Sequence, residues 1–282
     1  MKYLIVGGTG MLGRDLSRVL KGRDVTSLGR AQLDIGDPLA VKAAVNGYGV
    51  VINAAAFTQV NAAERDELAA YRINAVGAGL VAAAARRSGA RLVHVSTDYV
   101  FSGSARDPYP ENTALDPQNA YGRTKAEGET LVRDATDDDV LIVRTAWLYG
   151  AAGHNFAKTM AAKFAASQAV KVVNDQVGQP TWTADVAQQI LLMLDEAAPS
   201  GIYHATNAGQ ASWFEFAQAI AAEMGADTRL VEPTDSAGFH REAPRPSYSV
   251  LGHDSWLRAG LAPMRDWRSA LRAASTAGVL RP

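Results

Sequence analysis

The N-terminal segment constrains this chain more than any other stretch. Residues 3–6 are a short apolar, partly β-branched run suited to a strand buried on both faces, and they lead directly into Gly7-Gly8-Thr9-Gly10-Met11-Leu12-Gly13. Leu12, Leu16, Val19 and Leu20 then recur at helical spacing. The order is strand, glycine turn, helix. Glycines at 7, 10 and 13 remove side chains from the turn, so the backbone can bend sharply and approach a pyrophosphate lying on the helix N-terminus. A dinucleotide site is the expectation.

The same alternation continues. Residues 25–28 read as a second strand ending in Gly29-Arg30. In dinucleotide sites a carboxylate near this point accepts from ribose hydroxyls, whereas a cation accommodates a 2′-phosphate. Gly29 leaves room and Arg30 supplies charge, which favours NADPH over NADH; the other reading of Arg30 is a solvated loop arginine. Leu33-Asp34-Ile35 has the character of a segment bordering the adenine, with Asp34 suited to its exocyclic amine. Residues 49–53 form a third buried strand that opens into Ala54, Ala55 and Ala56, small enough to let a cofactor lie against backbone. A helix is expected over 67–87, where Asn74 either kinks or hydrates the helix near the site or lies on the surface. Residues 91–95 form a fourth strand, ending at Val95 and delivering Ser96, Thr97 and Asp98 to the edge where ligands of open α/β sheets bind.

Tyr121 and Lys125 lie four residues apart in a helical context, which stacks phenol over ammonium. A fixed cation favours the phenolate and brings a group of pKa about 10 within range of proton transfer. Such a pair can give a proton to a carbinol oxygen or take one from it, and Thr97 could donate to the same oxygen. Without its context the pair would be an amphipathic helix with an exposed lysine. Residues 139–145 are a fifth strand. Trp147 follows, placed to pack on a sugar or base face or at a domain boundary.

Beyond residue 150 the alternation loosens. Helices are expected over 154–164 and 184–196, strands over 170–173 and 201–204, and an ordered polar loop over 174–181. Ser212 with Glu215 makes a capping box at the start of a further helix. Residues 232–252 read as irregular and cationic, where Arg245 either clamps a phosphate or is solvated.

With 282 residues, the chain can bury a large core. A net charge of -1 offers no overall attraction to nucleic acid or an anionic membrane surface. No cysteine is present, which excludes disulfides, thiolate catalysis and cysteine-ligated metals, and the five histidines have no ligand spacing. The opening apolar run is too short for a signal peptide or a membrane span, so a cytoplasmic protein is expected.

The glycine turn together with Thr97, Tyr121 and Lys125 resembles the extended short-chain dehydrogenase/reductases. Ser-Thr-Asp-Tyr-Val-Phe (96–101), Tyr-Gly-Arg-Thr-Lys (121–125), Arg-Thr-Ala-Trp-Leu-Tyr-Gly (144–150), Asn155-Phe156, Asp-Gln-Val-Gly-Gln-Pro-Thr (175–181) and Arg-Pro-Ser-Tyr-Ser-Val-Leu (245–251) are similar in combination to the dTDP-4-dehydrorhamnose reductase branch. The resemblance implies an α/β fold, a Rossmann-type doubly wound parallel sheet with a smaller C-terminal substrate-binding domain. Residues 1–148 and 180–204 would form the first part, and 149–179 and 205–282 the second. It implies NAD(P)H-dependent reduction of a dTDP-keto sugar, with Tyr121 as proton donor, Lys125 holding the nicotinamide ribose and lowering the tyrosine pKa, and Thr97 polarising the C4 carbonyl. Asp98, Trp147, Asn155 and Arg245 would contact substrate. Gly7, Gly10, Met11, Leu12, Gly13, Arg30, Asp34, Ile35, Ala54, Ala55, Ala56 and Val95 would border the cofactor. Some members of this branch bind magnesium between subunits through glutamates. Asp15 and Ala184 stand at two of those positions, so neither the metal nor that dimer is expected; a monomer or weak homodimer is.

Overall fold

The computed structural model describes residues 1–238 and 241–281. Five strands, Lys2–Val6 (β1), Asp24–Leu28 (β2), Val50–Asn53 (β3), Arg91–Thr97 (β4) and Leu141–Thr145 (β5), precede four others, Leu148–Tyr149 (β6), Val170–Val173 (β7), Val177–Gly178 (β8) and Thr181–Trp182 (β9). Gly201–His204 (β10), Ala211–Ser212 (β11) and Val231–Thr234 (β12) follow. The main sheet has the order β10-β5-β4-β3-β1-β2 and is parallel throughout.

Alternation along each strand sends side chains into two layers. Tyr3 and Ile5 of β1 join Leu141 and Val143 of β5 on one face, against the helices Met11–Val19 (α1) and, further along, Thr183–Asp195 (the helix after β9). Leu4, Val6 and Ile142 face the other layer, which holds Val41, Val81, Ala85 and Val132. The helices on that side are Pro38–Val45 (α2), Ala78–Arg87 (α5) and Ala120–Thr136 (α6), while Val60–Arg65 (α3) and Glu67–Tyr71 (α4) pack on the start of α6 through Ala63, Ala70 and Ala120. Phe156–Ala165 (α7) precedes the helix at 183–195, labelled α8, and Trp213–Glu223 (α9), Asp254–Arg258 (α10) and Trp267–Thr276 (α11) complete the set. A separate apolar cluster unites Tyr149, Phe164, Phe216, Ile220, Trp267 and Leu271 from β6, α7, α9 and α11.

Three differences from the sequence reading have local causes. The helix expected over 67–87 is interrupted by a π-helical turn at Arg72–Gly77, where Asn74 is buried and spends its amide on Phe57 N at 2.8 Å, Phe57 O at 3.1 Å and Thr124 Oγ1 at 3.1 Å. This stretch is long and apolar enough to cross a membrane, with half of its apolar window buried within the molecule. The helix expected from His154 begins at Phe156 because the Asn155 side chain accepts from Lys158 N. The segment read as irregular over 232–252 opens within β12, which pairs in parallel with β7. The capping box at Ser212 and Glu215 is present in both directions.

Candidate active site

The glycine turn sits tightly against the exit of β3. Gly7 has φ +85, and a Cβ there would lie 2.6 Å from Ala55 N; a Cβ on Gly13 would collide with the Gly7 carbonyl oxygen. No side chain caps α1 at Gly10, which leaves the first-turn N–H groups available to an anion. Beside this turn lies a cavity of about 570 Å³, lined by Gly7, Gly10, Met11, Leu12, Gly13, Arg30, Asp34, Ile35, Ala54, Ala55 and Ala56 around the turn, and by Val95, Thr97, Asp98, Tyr121, Lys125 and Trp147 around the Tyr–Lys pair. The close backbone approach, the uncapped helix end and the exposed Arg30 fit a phosphorylated dinucleotide. Asp34 is engaged locally: it accepts from Gly36 N at 2.9 Å and pairs with Arg72 at 2.5 Å. These contacts, chiefly that from Gly36, hold its carboxyl below the usual range.

Tyr121 is fixed by the way α6 starts. Asn119 caps the helix through Gly122 N at 2.8 Å, Glu64 accepts from Ala120 N at 2.7 Å, and the absent side chain of Gly122 admits the Tyr99 carbonyl. The Tyr99 ring meets Tyr121 edge-on, with centroids 5.6 Å apart. Burial pushes the Tyr121 phenol up, opposed first by the Thr97 hydroxyl. The expected lowering by Lys125 is not the arrangement found. Lys125 Nζ donates instead to Val95 O at 2.7 Å and lies 3.4 Å from His94 Nε2. Burial brings Lys125 down to about 8, against the opposing charge of Glu129.

Thr97 Oγ1 donates to Asp98 Oδ1 at 3.0 Å. Asp98 is pushed up to about 6 by burial, opposed by the hydroxyls of Ser249 and Thr97. At the exit of β5, Trp147 takes a left-handed φ of 45 and stacks on Trp213, with centroids 3.6 Å apart and planes within 7°. Trp213 also lines the cavity. The sequence reading gave it no role in the site, although Ser-Trp-Phe-Glu-Phe (212–216) is both a capped helix start and one of the strings that resemble the family.

Two expected substrate residues stand elsewhere. Asn155 spends its amide on the α7 cap, on Gly150 O at 2.9 Å and on Met11 Sδ at 3.7 Å, and does not line this cavity. Arg245 lies over the Tyr99 ring and donates to Asn61 Oδ1 at 2.8 Å, beside a neighbouring cavity of about 280 Å³. Asp15 is buried and engaged by Thr183 Oγ1 at 2.6 Å and by Arg18 at 2.5 Å. Among the described residues no group of three or more carboxylate, histidine or cysteine side chains could hold a metal. A larger cavity, of about 660 Å³, opens between α6, the edge strand β10 and residues 111–115, around the buried ion pair of Arg144 and Glu129.

A doubly wound parallel sheet with a glycine turn at its first strand–helix junction and a Thr–Tyr–Lys set at its carboxyl edge defines an NAD(P)H-dependent oxidoreductase of the short-chain dehydrogenase/reductase type. Residues 1–278 match the RmlD substrate binding domain family, and the chain belongs to it. It is 50% identical over 281 residues to a Streptomyces antibioticus protein named a probable dTDP-4,6-dihydroxy-2-methyloxan-3-one 4-ketoreductase, covering 97% of this chain and 94% of that one. It is 46% identical to the dTDP-4-dehydrorhamnose reductase of Streptomyces griseus, covering 96% and 91% of the two chains. Among solved structures, the dTDP-4-dehydrorhamnose reductase of Bacillus anthracis in complex with NADP superposes with a TM-score of 0.93 at 35% identity, covering 98% of this chain and 100% of that one.

Proposed function

We propose that the protein reduces the C4 ketone of dTDP-4-dehydro-L-rhamnose to give dTDP-L-rhamnose, the last step of dTDP-rhamnose biosynthesis, with NADPH as reductant. The observation that carries this reading is one cavity with a dinucleotide turn at one end and Thr97, Tyr121 and Lys125 at the other. When bound, NADPH supplies the hydride. Tyr121, kept protonated by burial, gives its proton to the emerging alkoxide oxygen. Thr97 donates to the same oxygen by turning its hydroxyl from Asp98, and Lys125 faces the nicotinamide ribose. Arg30 receives the 2′-phosphate, which favours NADPH. Trp147 and Asp98 hold the sugar, and Arg245 is assigned to the nucleotide phosphates once released from Asn61. Asn155 acts through the α7 cap.

We divide the chain into a cofactor part, 1–148 with 180–204, and a sugar-nucleotide part, 149–179 with 205–282. The second apolar cluster, drawn mainly from the latter segments, supports this. The protein is read as cytoplasmic, a monomer or weak homodimer, with no nucleic-acid or membrane partner.

A second reading, reduction of a related dTDP-4-keto sugar, is favoured by the Streptomyces antibioticus relative at 50% identity. NADPH consumption with enzymatically prepared dTDP-4-dehydrorhamnose, with the product's C4 configuration read by NMR, tests the first. Turnover only with another dTDP-4-keto sugar moves the substrate assignment and leaves the chemistry in place. No NADPH oxidation with any such sugar returns the fold to a binding role.

A further inference from the structure

Behind the catalytic group, Asn53 of β3, His94 of β4 and Lys125 of α6 form a side-chain relay, each at most 1% exposed. Ala55 N donates to Asn53 Oδ1 at 3.2 Å, and Asn53 Nδ2 lies 3.3 Å from His94 Nδ1. His94 Nε2 lies 3.4 Å from Lys125 Nζ, which also meets Val95 O at 2.7 Å.

The links allow one proton assignment. Turning the Asn53 amide over would set its NH2 against the Ala55 N–H and take away that N–H's acceptor. Nδ2 therefore faces the ring. An amide N–H needs a lone pair, so His94 Nδ1 is unprotonated and the neutral ring carries its hydrogen on Nε2. That N–H points at Lys125 Nζ. An ammonium has no lone pair to receive it; an amine has one, and keeps hydrogens for Val95 O.

We propose that His94 is a positioning residue that donates its Nε2–H to the Lys125 amine, so that the cofactor-free protein favours the neutral amine of Lys125 and takes up a proton when the dinucleotide binds. The uptake rests on the NADPH reading above, because a polyanionic cofactor favours the ammonium by direct attraction. Donation to the lone pair stabilises the amine and acts in the same direction as burial, which already lowers Lys125 to about 8. The charged and titratable groups around Lys125 are His94 from β4, Tyr121 one turn back, and Glu129 one turn on, which Arg144 from β5 binds through both oxygens at 2.9 and 2.6 Å. Burial holds His94 well below the ordinary histidine range, in keeping with a neutral ring.

Two measurements test this on the full chain. In protein labelled with ¹⁵N-histidine at about pH 8, long-range ¹H–¹⁵N spectra, with His94 assigned by its loss in His94→Gln, should show the neutral Nε2–H tautomer. An Nδ1–H tautomer or an imidazolium overturns the proposal. Calorimetry of NADP binding in buffers of different ionisation enthalpy should count up to one proton taken up at that pH. No uptake on binding overturns the linkage. In Asn53→Asp the new carboxylate should draw the hydrogen to Nδ1, give Lys125 a lone pair to donate to, and cut the uptake about twofold or more. The same cut in Asn53→Asp/His94→Gln would show that the carboxylate acts by charge alone, which also overturns the role of His94. A protein that binds no NADP at all refutes the cofactor reading, and the tautomer spectrum still decides the histidine assignment.

Discussion

The indoles of Trp147 and Trp213 stack face to face at 3.6 Å, one leaving the main sheet and the other opening α9. Trp147 holds a left-handed φ of 45, a conformation that costs a non-glycine residue on the order of 1 kcal/mol, and the stack compensates for it. Gly178 contributes by lacking a side chain, since a Cβ there would lie 2.5 Å from the Trp147 ring.

Trp213→Ala should therefore raise KM for the dTDP-sugar by about tenfold, the equivalent of losing about 1.4 kcal/mol of aromatic contact. KM for NADPH should change little, because Arg30 and the glycine turn line the other end of the cavity. Steady-state kinetics with each substrate varied separates the two, and equal losses in both would show that Trp213 supports the fold and not the sugar side.

Glu129 and Arg144 form an ion pair with both side chains 2% exposed, and Arg144 also donates to Glu111 O at 3.0 Å. Glu129→Ala leaves a guanidinium buried without its carboxylate. The expected loss is about 3–5 kcal/mol in urea unfolding, far above that of Asp227→Ala at the solvent-exposed Arg229 pair. A loss below about 1 kcal/mol would mean that water reaches Arg144 through the adjoining cavity.

Asp98 gives the protein a pH-dependent term of unusual sign. Its carboxyl titrates at about 6 in the folded chain against 3.8 unfolded, so between those values the folded state binds more protons. Stability then falls as pH rises from about 4 to about 6, by on the order of 2–3 kcal/mol. Asp98→Asn should remove this slope, so the variant gains on the wild type across that window and the difference levels off above it. Carboxylates held low by arginine partners, such as Asp195 beside Arg23, lose their contribution only at more acid pH. Parallel stability curves for the two proteins from pH 4 to 7 would contradict the assignment.

What the sequence made legible was chemistry confined to one short stretch. The glycines at 7, 10 and 13 and the four-residue step from Tyr121 to Lys125 carry their own geometry, because a turn or a helix period fixes it. Trp213 reaches Trp147 only through the packing of α9 against α7, α11 and β11, which no local period encodes. Asn53, His94 and Lys125 come from three elements and meet through sheet register, where β3 pairs Asn53 with His94. The π-helical turn at Asn74 was visible only as a polar residue in an alanine-rich run. Asn155 sits in a recognisable motif, yet a motif does not tell whether an amide faces a ligand or its own helix.

The last expectation concerns the direction in which Tyr121 moves its proton. A phenol raised by burial is protonated across neutral pH, so it serves as the acid, and the phenolate left after each transfer regains its proton from water before the next turnover. Tyr121→Phe should lower turnover by about a hundredfold or more while leaving NADPH binding intact, since the ring keeps its edge contact with Tyr99 at 5.6 Å. Thr97→Val removes a second donor to the same oxygen and should lower kcat by about a hundredfold. Because both groups act on one developing charge, the double variant should lose much less than the product of the two single losses. Single-turnover rates of the four proteins at saturating NADPH measure this directly. Fully multiplicative losses would place Thr97 and Tyr121 on different atoms of the substrate, and an unimpaired Tyr121→Phe would remove the tyrosine from the reaction.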